Sequence, residues 1–180
     1  KTVYDWIDAM NDSIFVDTAP YVGINYCGLS WESAFIITQY YLYLYYDDSS
    51  LVKELYNIND QWMSKVSRIH PNGIVDSGLS DHESLKPVPV ELTGTLHYMQ
   101  TAKIMSIFSS IVGNKQNIKK YENLVKKLKN LILDKFWKSS TDNNINKQTL
   151  FSALLYHEVI PKEDISAAKD SLLNALKNGP

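Results

Sequence analysis

The sequence predicts an all-α chain, a partial (α/α)6 toroid of about seven helices paired into antiparallel hairpins. Three observations carry this expectation. Apolar residues recur at helical spacing through most of the 180 residues. Nearly uncharged helices alternate with amphipathic ones that carry a polar outer face. Each uncharged helix is joined to the next amphipathic one by a short turn, whereas the return connections are long and irregular. Short helix–helix turns imply antiparallel neighbours. The alternation then sets an inner ring of helices inside an outer ring, with the starts of the inner helices and the long loops on one rim. Residues 1–180 read as a single all-α piece, about half of a closed toroid.

Taken in order, residues Val3 to Met10 form a short amphipathic helix with Val3, Trp6, Ile7 and Met10 on one face. Asn11-Asp12-Ser13 ends it, and an irregular stretch passes through Pro20 and Gly23. The run from Trp31 to Tyr46, WESAFIITQYYLYLYY, is expected to be the central helix, because no charged side chain lies between Glu32 and Asp47. A helix that is apolar all round belongs in the interior. The run is too short for a membrane span, which needs about 20 apolar residues. The alternation from Tyr41 to Tyr45 suits a strand, but strands run about 4–8 residues and length favours a helix.

Asp47-Asp48-Ser49-Ser50 offers a turn and an N-cap. Leu51, Leu55, Ile58, Trp62, Val66 and Ile69 then mark the buried face of an amphipathic helix, which His70-Pro71-Asn72-Gly73 stops. The segment from His70 to Leu92 has no sustained period, and such long loops in compact domains are usually functional or disordered. A fourth helix runs from about Thr93 to Val112, with Lys103 its only charge, and Gly113-Asn114 closes it. The fifth, from about Gln116 to Trp137, sets Tyr121, Leu124, Val125, Leu128, Leu131 and Ile132 against a row of lysines, read as a solvated outer face. After a polar loop from Ser139 to Asn146, a sixth helix runs from about Lys147 to Glu158. Pro161 opens the seventh, whose buried face is Ile165, Ala168, Leu172 and Leu176.

Composition narrows the function classes. Net charge is −2 with acids and bases nearly balanced, which argues against a nucleic-acid partner. The single cysteine, Cys27, excludes an internal disulfide and reads as a small buried hydrophobe, so the compartment stays open. The chain starts at Lys1 and stops at Pro180 directly after a helical pattern, which suggests a piece of something longer. Neither G-x-S-x-G nor a phosphate-binding glycine loop occurs.

The expected rim gathers Asp17 and Tyr21, Trp31 and Glu32, Asp76, Asp81, His82 and Glu83, and Asn143, Asn144, Asn146 and Gln148. Helix N-termini there add backbone donors and positive partial charge. Aromatic faces, carboxylates and amides around a concavity suit a neutral polyhydroxylated ligand such as a sugar, since a carboxylate accepts two hydroxyl donors at once. Plainer readings stand beside this one: Trp31 as core at a helix start, Asp81 as a turn former, and Glu83 as an ordinary surface acid. One His between two acids on a loop is a poor metal signal, and neither metal nor cofactor is expected.

These segments resemble a known family. Trp31-Glu32-Ser33-Ala34-Phe35-Ile36-Ile37-Thr38-Gln39-Tyr40 matches the frame of a W-G-D-A-A-x-x-x-P-W segment, and Asp17-Thr18-Ala19-Pro20 is similar to an acid-then-Pro segment upstream of it. Gly78-Leu79-Ser80-Asp81-His82-Glu83-Ser84-Leu85 is similar to G-L-x-D-H-E-S-L, and Asn146-Lys147-Gln148-Thr149 to an N-x-Q-T helix opening. In this order they resemble the catalytic (α/α)6 barrel of bacterial α-L-rhamnosidases, glycoside hydrolase family 78. The resemblance implies that Trp31 lines a rhamnose pocket, that Asp81 is an acid of that pocket, and that His82 stands where many members have a second tryptophan. Ser33 replaces the usual acid of the first motif.

By the same resemblance the general acid lies in a D-C-P-x-R-E type motif before this chain and the general base beyond Pro180, and neither motif occurs here. Inverting glycosidases hold the two carboxyl groups about 6.5–9.5 Å apart. The expectation is therefore a parent protein that removes terminal α-L-rhamnose by inverting hydrolysis, with this chain supplying part of the sugar pocket and neither catalyst. The competing readings are an α-helical solenoid scaffold for protein interaction, or an α/α-toroid enzyme acting on another sugar. Absence of a repeated period counts against the solenoid. An open half-ring also leaves apolar flanks, so the isolated piece is expected to self-associate.

Overall fold

The computed structural model describes residues 2–10, 15–24, 26–81, 83–138 and 144–179. The helices are α1 (Thr2–Ala9), α2 (Leu29–Glu32), α3 (Ala34–Tyr46), α4 (Ser50–Ile69), α5 (Val90–Ile111), α6 (Lys115–Ile132), α7 (Lys147–Tyr156) and α8 (Ile165–Asn178). A π-helical turn, Leu133–Lys138, continues α6, and a 3₁₀ turn, Lys162–Asp164, precedes α8. The described residues include no strand, so the tyrosine-rich run is helical. The all-α expectation holds, with one helix more because the second is split at Ser33. There the buried Ser33 Oγ donates back to the Ser30 carbonyl at 3.3 Å, a local bond that competes with regular helix.

Three hairpins are formed: α3 with α4, α5 with α6, and α7 with α8. Their turns are tight and use left-handed backbone at Asp47 (φ 52), Gly113 (φ 75) and Glu158 (φ 57). Asn114 and Asn146 cap α6 and α7 by accepting from the amides of Asn117 and Thr149, each at 3.1 Å, which satisfies donors the helices leave open.

The core does not sit where the apolar run suggests. Only Phe35, Ile36 and Gln39 of α3 are buried, while Tyr45 is 81% and Tyr46 75% exposed. The interior helix is α5, buried at Leu92, Leu96, Met99, Ala102, Met105 and Phe108 and packed against α2, α3, α4, α6 and α7. Its neighbours surround it, whereas α3 has neighbours along its first turns and an open aromatic face along its last ones. An apolar run therefore marked an inner helix correctly and overstated its burial.

Aromatic packing holds the first hairpin. Phe15 lies 4.0 Å from Phe35 and stacks on Trp62 at 5.4 Å, and the Trp6 ring meets Phe35 edge-on at 6.3 Å. Buried polar groups bridge the helices, although Thr18 Oγ1 is buried without a hydrogen-bond partner among the described residues. Gln39 and Asn59 exchange two amide bonds, at 3.2 and 2.8 Å, between α3 and α4. Asp60 accepts from Asn117 at 3.1 Å, from Lys120 at 3.0 Å and from the Tyr121 hydroxyl, tying α4 to α6. Several lysines of the solvated face of α6 thus have partners: Lys127 reaches the Pro71 carbonyl and Lys129 that of Glu158. No described helix is long and apolar enough to cross a membrane.

Candidate functional site

The long connections gather at one end, opposite the tight turns, and are bonded to one another. Leu79 donates from its amide to the Cys27 carbonyl at 2.8 Å, and Ser30 Oγ to the Leu79 carbonyl at 3.3 Å. At the other side Asn146 donates from its amide to the Pro87 carbonyl at 2.9 Å and from Nδ2 to Ser84 Oγ at 2.8 Å. Thr149 Oγ1 donates to Asp81 Oδ2 at 2.7 Å. The segment from Ser77 to Pro87 therefore crosses the mouth from the start of α2 to the start of α7. Gly28 (φ 76) and Gly78 (φ 107) let the first of these junctions close, since a Cβ on either would overlap the other strand of backbone. Val75 seats the segment on α5: its amide donates to Thr95 Oγ1 at 3.0 Å, and its side chain fills the space left by Gly94.

The predicted site residues take different positions on this frame. Trp31 is 39% exposed at the start of the inner helix and Asp81 and Glu83 are exposed on the crossing segment, Glu83 with a left-handed φ of 57. Tyr21 is exposed as well, and Tyr26, which sequence reasoning did not single out, is 65% exposed on the same loop. His82 and Asn143 lie outside the described residues. Asp17 is buried and its Oδ2 accepts from the Cys27 amide at 2.8 Å, closing the loop before α2. Gln148 donates from Nε2 to the Ala175 carbonyl on α8 at 3.2 Å. Asp76 is exposed, 3.7 Å from His70 Nδ1.

Glu32 faces away from the open side of Trp31, toward the last turns of α4. Its Oε2 accepts from Trp62 Nε1 at 3.3 Å, in a recess of about 110 Å³ that Gly28, Lys65, His70 and Ser77 also line. Burial pushes the Glu32 carboxyl up to about 7, and the nearby Asp17 carboxylate adds to the rise while the Trp62 bond opposes it. Burial likewise raises the Cys27 thiol, with Asp17 again contributing. The residues around Glu32 escaped sequence reasoning because Trp62 reads simply as the buried face of α4. Nothing local in the sequence pairs position 32 with position 62.

Chemically the mouth offers an open indole face, carboxylates on a fixed segment and exposed tyrosines. Among the described residues no three metal-ligating side chains cluster.

Residues 1–179 match the family model for the bacterial α-L-rhamnosidase six-hairpin glycosidase domain. The chain is similar in structure to the α-L-rhamnosidase of Dictyoglumus thermophilum, with 25% identity and a TM-score of 0.83 over 96% of this chain and 20% of that one. It is similar in fold to the Streptomyces avermitilis α-L-rhamnosidase solved with L-rhamnose, at 18% identity and a TM-score of 0.85 over 98% of this chain and 17% of that one. For the Aspergillus terreus α-L-rhamnosidase the values are 14% identity and 0.71, over 98% and 22%. The chain thus spans about a fifth of the length of these structures. No curated protein sequence matches it.

Proposed function

The chain belongs to the bacterial α-L-rhamnosidase six-hairpin glycosidase family, and from that premise we propose that it forms part of the sugar pocket of an enzyme removing terminal α-L-rhamnose by inverting hydrolysis. Trp31 would lie under the apolar face of the sugar, with Asp81 and Glu83 accepting from its hydroxyls. Asp17, Glu32 and Gln148 would shape the wall from behind, through their bonds to Cys27, Trp62 and Ala175. Hydrolysis by inversion needs a general acid and a general base separated by about 6.5–9.5 Å, and this reading places both on parts of the longer protein outside these 180 residues.

The observation that supports it best is the crossing segment. It carries Asp81 and Glu83 past the start of α2, where Trp31 is open, and is fixed to both flanking helix starts. A relative of the same fold solved with L-rhamnose agrees with this choice of sugar. The test is hydrolysis of 4-nitrophenyl α-L-rhamnoside by the longer protein, with the anomer of the released sugar followed by NMR. Trp31→Ala is expected to raise KM roughly two- to twelvefold, the loss of one stacked contact of about 0.5–1.5 kcal/mol, while the 180-residue chain alone does not turn over. Turnover by the isolated chain would sink the division of labour. Preference for a glucoside or glucuronide would replace the sugar.

A further inference from the structure

A cleft of about 550 Å³ opens on the outer side of the molecule between α6 and the start of α8, away from the mouth. Its floor is apolar: Ile160 is buried, and Leu155 and Ile165 are half-buried. Its edges are Lys129, Lys162 and Lys169. Neither Lys162 nor Lys169 has an ion-pair or hydrogen-bond partner among the described residues.

Two acids near the cleft, Glu158 and Asp164, have side-chain partners of their own. Glu158 is the one carboxylate lining it, and its left-handed backbone (φ 57) separates the two ends of the residue. Its main-chain carbonyl accepts from Lys129 Nζ at 2.6 Å, while its side chain pairs with Lys103 at 2.8 Å. Asp164, at the start of α8, accepts from Trp137 Nε1 at 3.1 Å. Of the edge cations Lys129 is met by Glu158, whereas Lys162 and Lys169 have no ion pair among the described residues and stand over a hydrocarbon floor. That combination favours one negative group attached to an apolar body, since the charge gains from the ammonium groups and the body from leaving water.

We propose that this cleft is a second binding site, for a small amphiphilic anion whose carboxylate or sulfonate meets the lysines while its hydrocarbon lies on Leu155, Ile160 and Ile165. It is independent of the sugar reading, because none of these residues belongs to the mouth.

Decanoate is the probe. Titrated into the chain with ¹³C-labelled methyl groups, it is expected to give saturable shifts at Leu155, Ile160 and Ile165. The Lys162→Glu/Lys169→Glu variant is expected to bind it roughly tenfold more weakly, each lost surface pair being worth at most about 1 kcal/mol, and the Lys→Arg pair to bind as before. Decanol should bind more weakly than decanoate to the unaltered chain. A thermal melt of each variant confirms folding, since both lysines are exposed. Shifts confined to the aromatic face of Tyr41, Leu44, Tyr45 and Tyr156, equal affinity in the reversed variant, or equal binding of decanol would each overturn the proposal.

Discussion

Gly28 and Gly78 meet backbone to backbone at the mouth: a Cβ on Gly28 would lie 2.7 Å from the Gly78 Cα, and one on Gly78 2.6 Å from the Cys27 carbonyl oxygen. Both also hold positive φ. Gly28→Ala or Gly78→Ala is therefore expected to destabilise the fold by about 2 kcal/mol or more, from left-handed strain plus the clash. Gly113→Ala, with open space around it, carries the strain alone and should cost less. Urea midpoints of the three variants make the comparison.

Glu32 should make stability fall as pH rises. Its carboxyl goes from an ordinary 4.5 to about 7 in the fold, so the folded chain binds the proton more tightly. That contribution is complete below about pH 4.5 and is lost as pH passes 7, a swing of order 3 kcal/mol at most. His157 acts in the opposite sense. Burial, then the neighbouring His97 and Lys103, hold it at about 4 instead of 6.5, so its contribution is present above 6.5 and lost as pH falls through 4. The two partly cancel in the intact chain. Glu32→Gln, which keeps an oxygen for Trp62 Nε1, should isolate the first: it stabilises at pH 8 and has little effect at pH 4.5, read from urea unfolding at both values.

Gln39 and Asn59 form a closed amide pair in the interior between α3 and α4. Removing either partner strands the other in an apolar surround at a cost of about 1–3 kcal/mol. Gln39→Leu and Asn59→Leu should each destabilise, and the double variant should lose less than the sum of the two. A double-mutant cycle by thermal unfolding checks this, and strict additivity would show the pair to be uncoupled.

The open aromatic face at the end of α3 carries a further prediction. Tyr41, Leu44 and Tyr45 stand beside Tyr156 of α7, each at least 40% exposed, and Tyr41 stacks on Tyr45 with ring centroids 6.2 Å apart. Contiguous apolar surface of this kind drives association. The chain alone is expected to sediment as oligomers at micromolar concentration, with Leu44→Glu/Tyr45→Lys shifting it toward monomer. A monomer at every concentration would remove the expectation.

Much of the architecture was legible because it follows from short-range pattern. Helical spacing set the elements, turn length set the hairpins, and both together brought the long loops to one mouth. What escaped depends on pairings distant in sequence. The polarity of the run from Trp31 to Tyr46 carries no record of which flank meets a neighbour, so α3 was overrated as core and α5 underrated. Asp17 and Gln148 looked like free polar groups until Cys27 and Ala175 were seen to occupy them. Glu32, read as a rim acid beside Trp31, turns to Trp62 because successive helical residues point about 100° apart.

The segment crossing the mouth is anchored at Leu79 and Pro87 through main-chain atoms, which remain whatever residue stands there. Glu83 takes no part in those anchors, so its side chain can vary among residues that its left-handed φ of 57 admits while the anchors persist. On the proposed reading of the mouth as a sugar pocket, preference among sugars can then drift through exposed side chains such as Glu83 without touching the anchors.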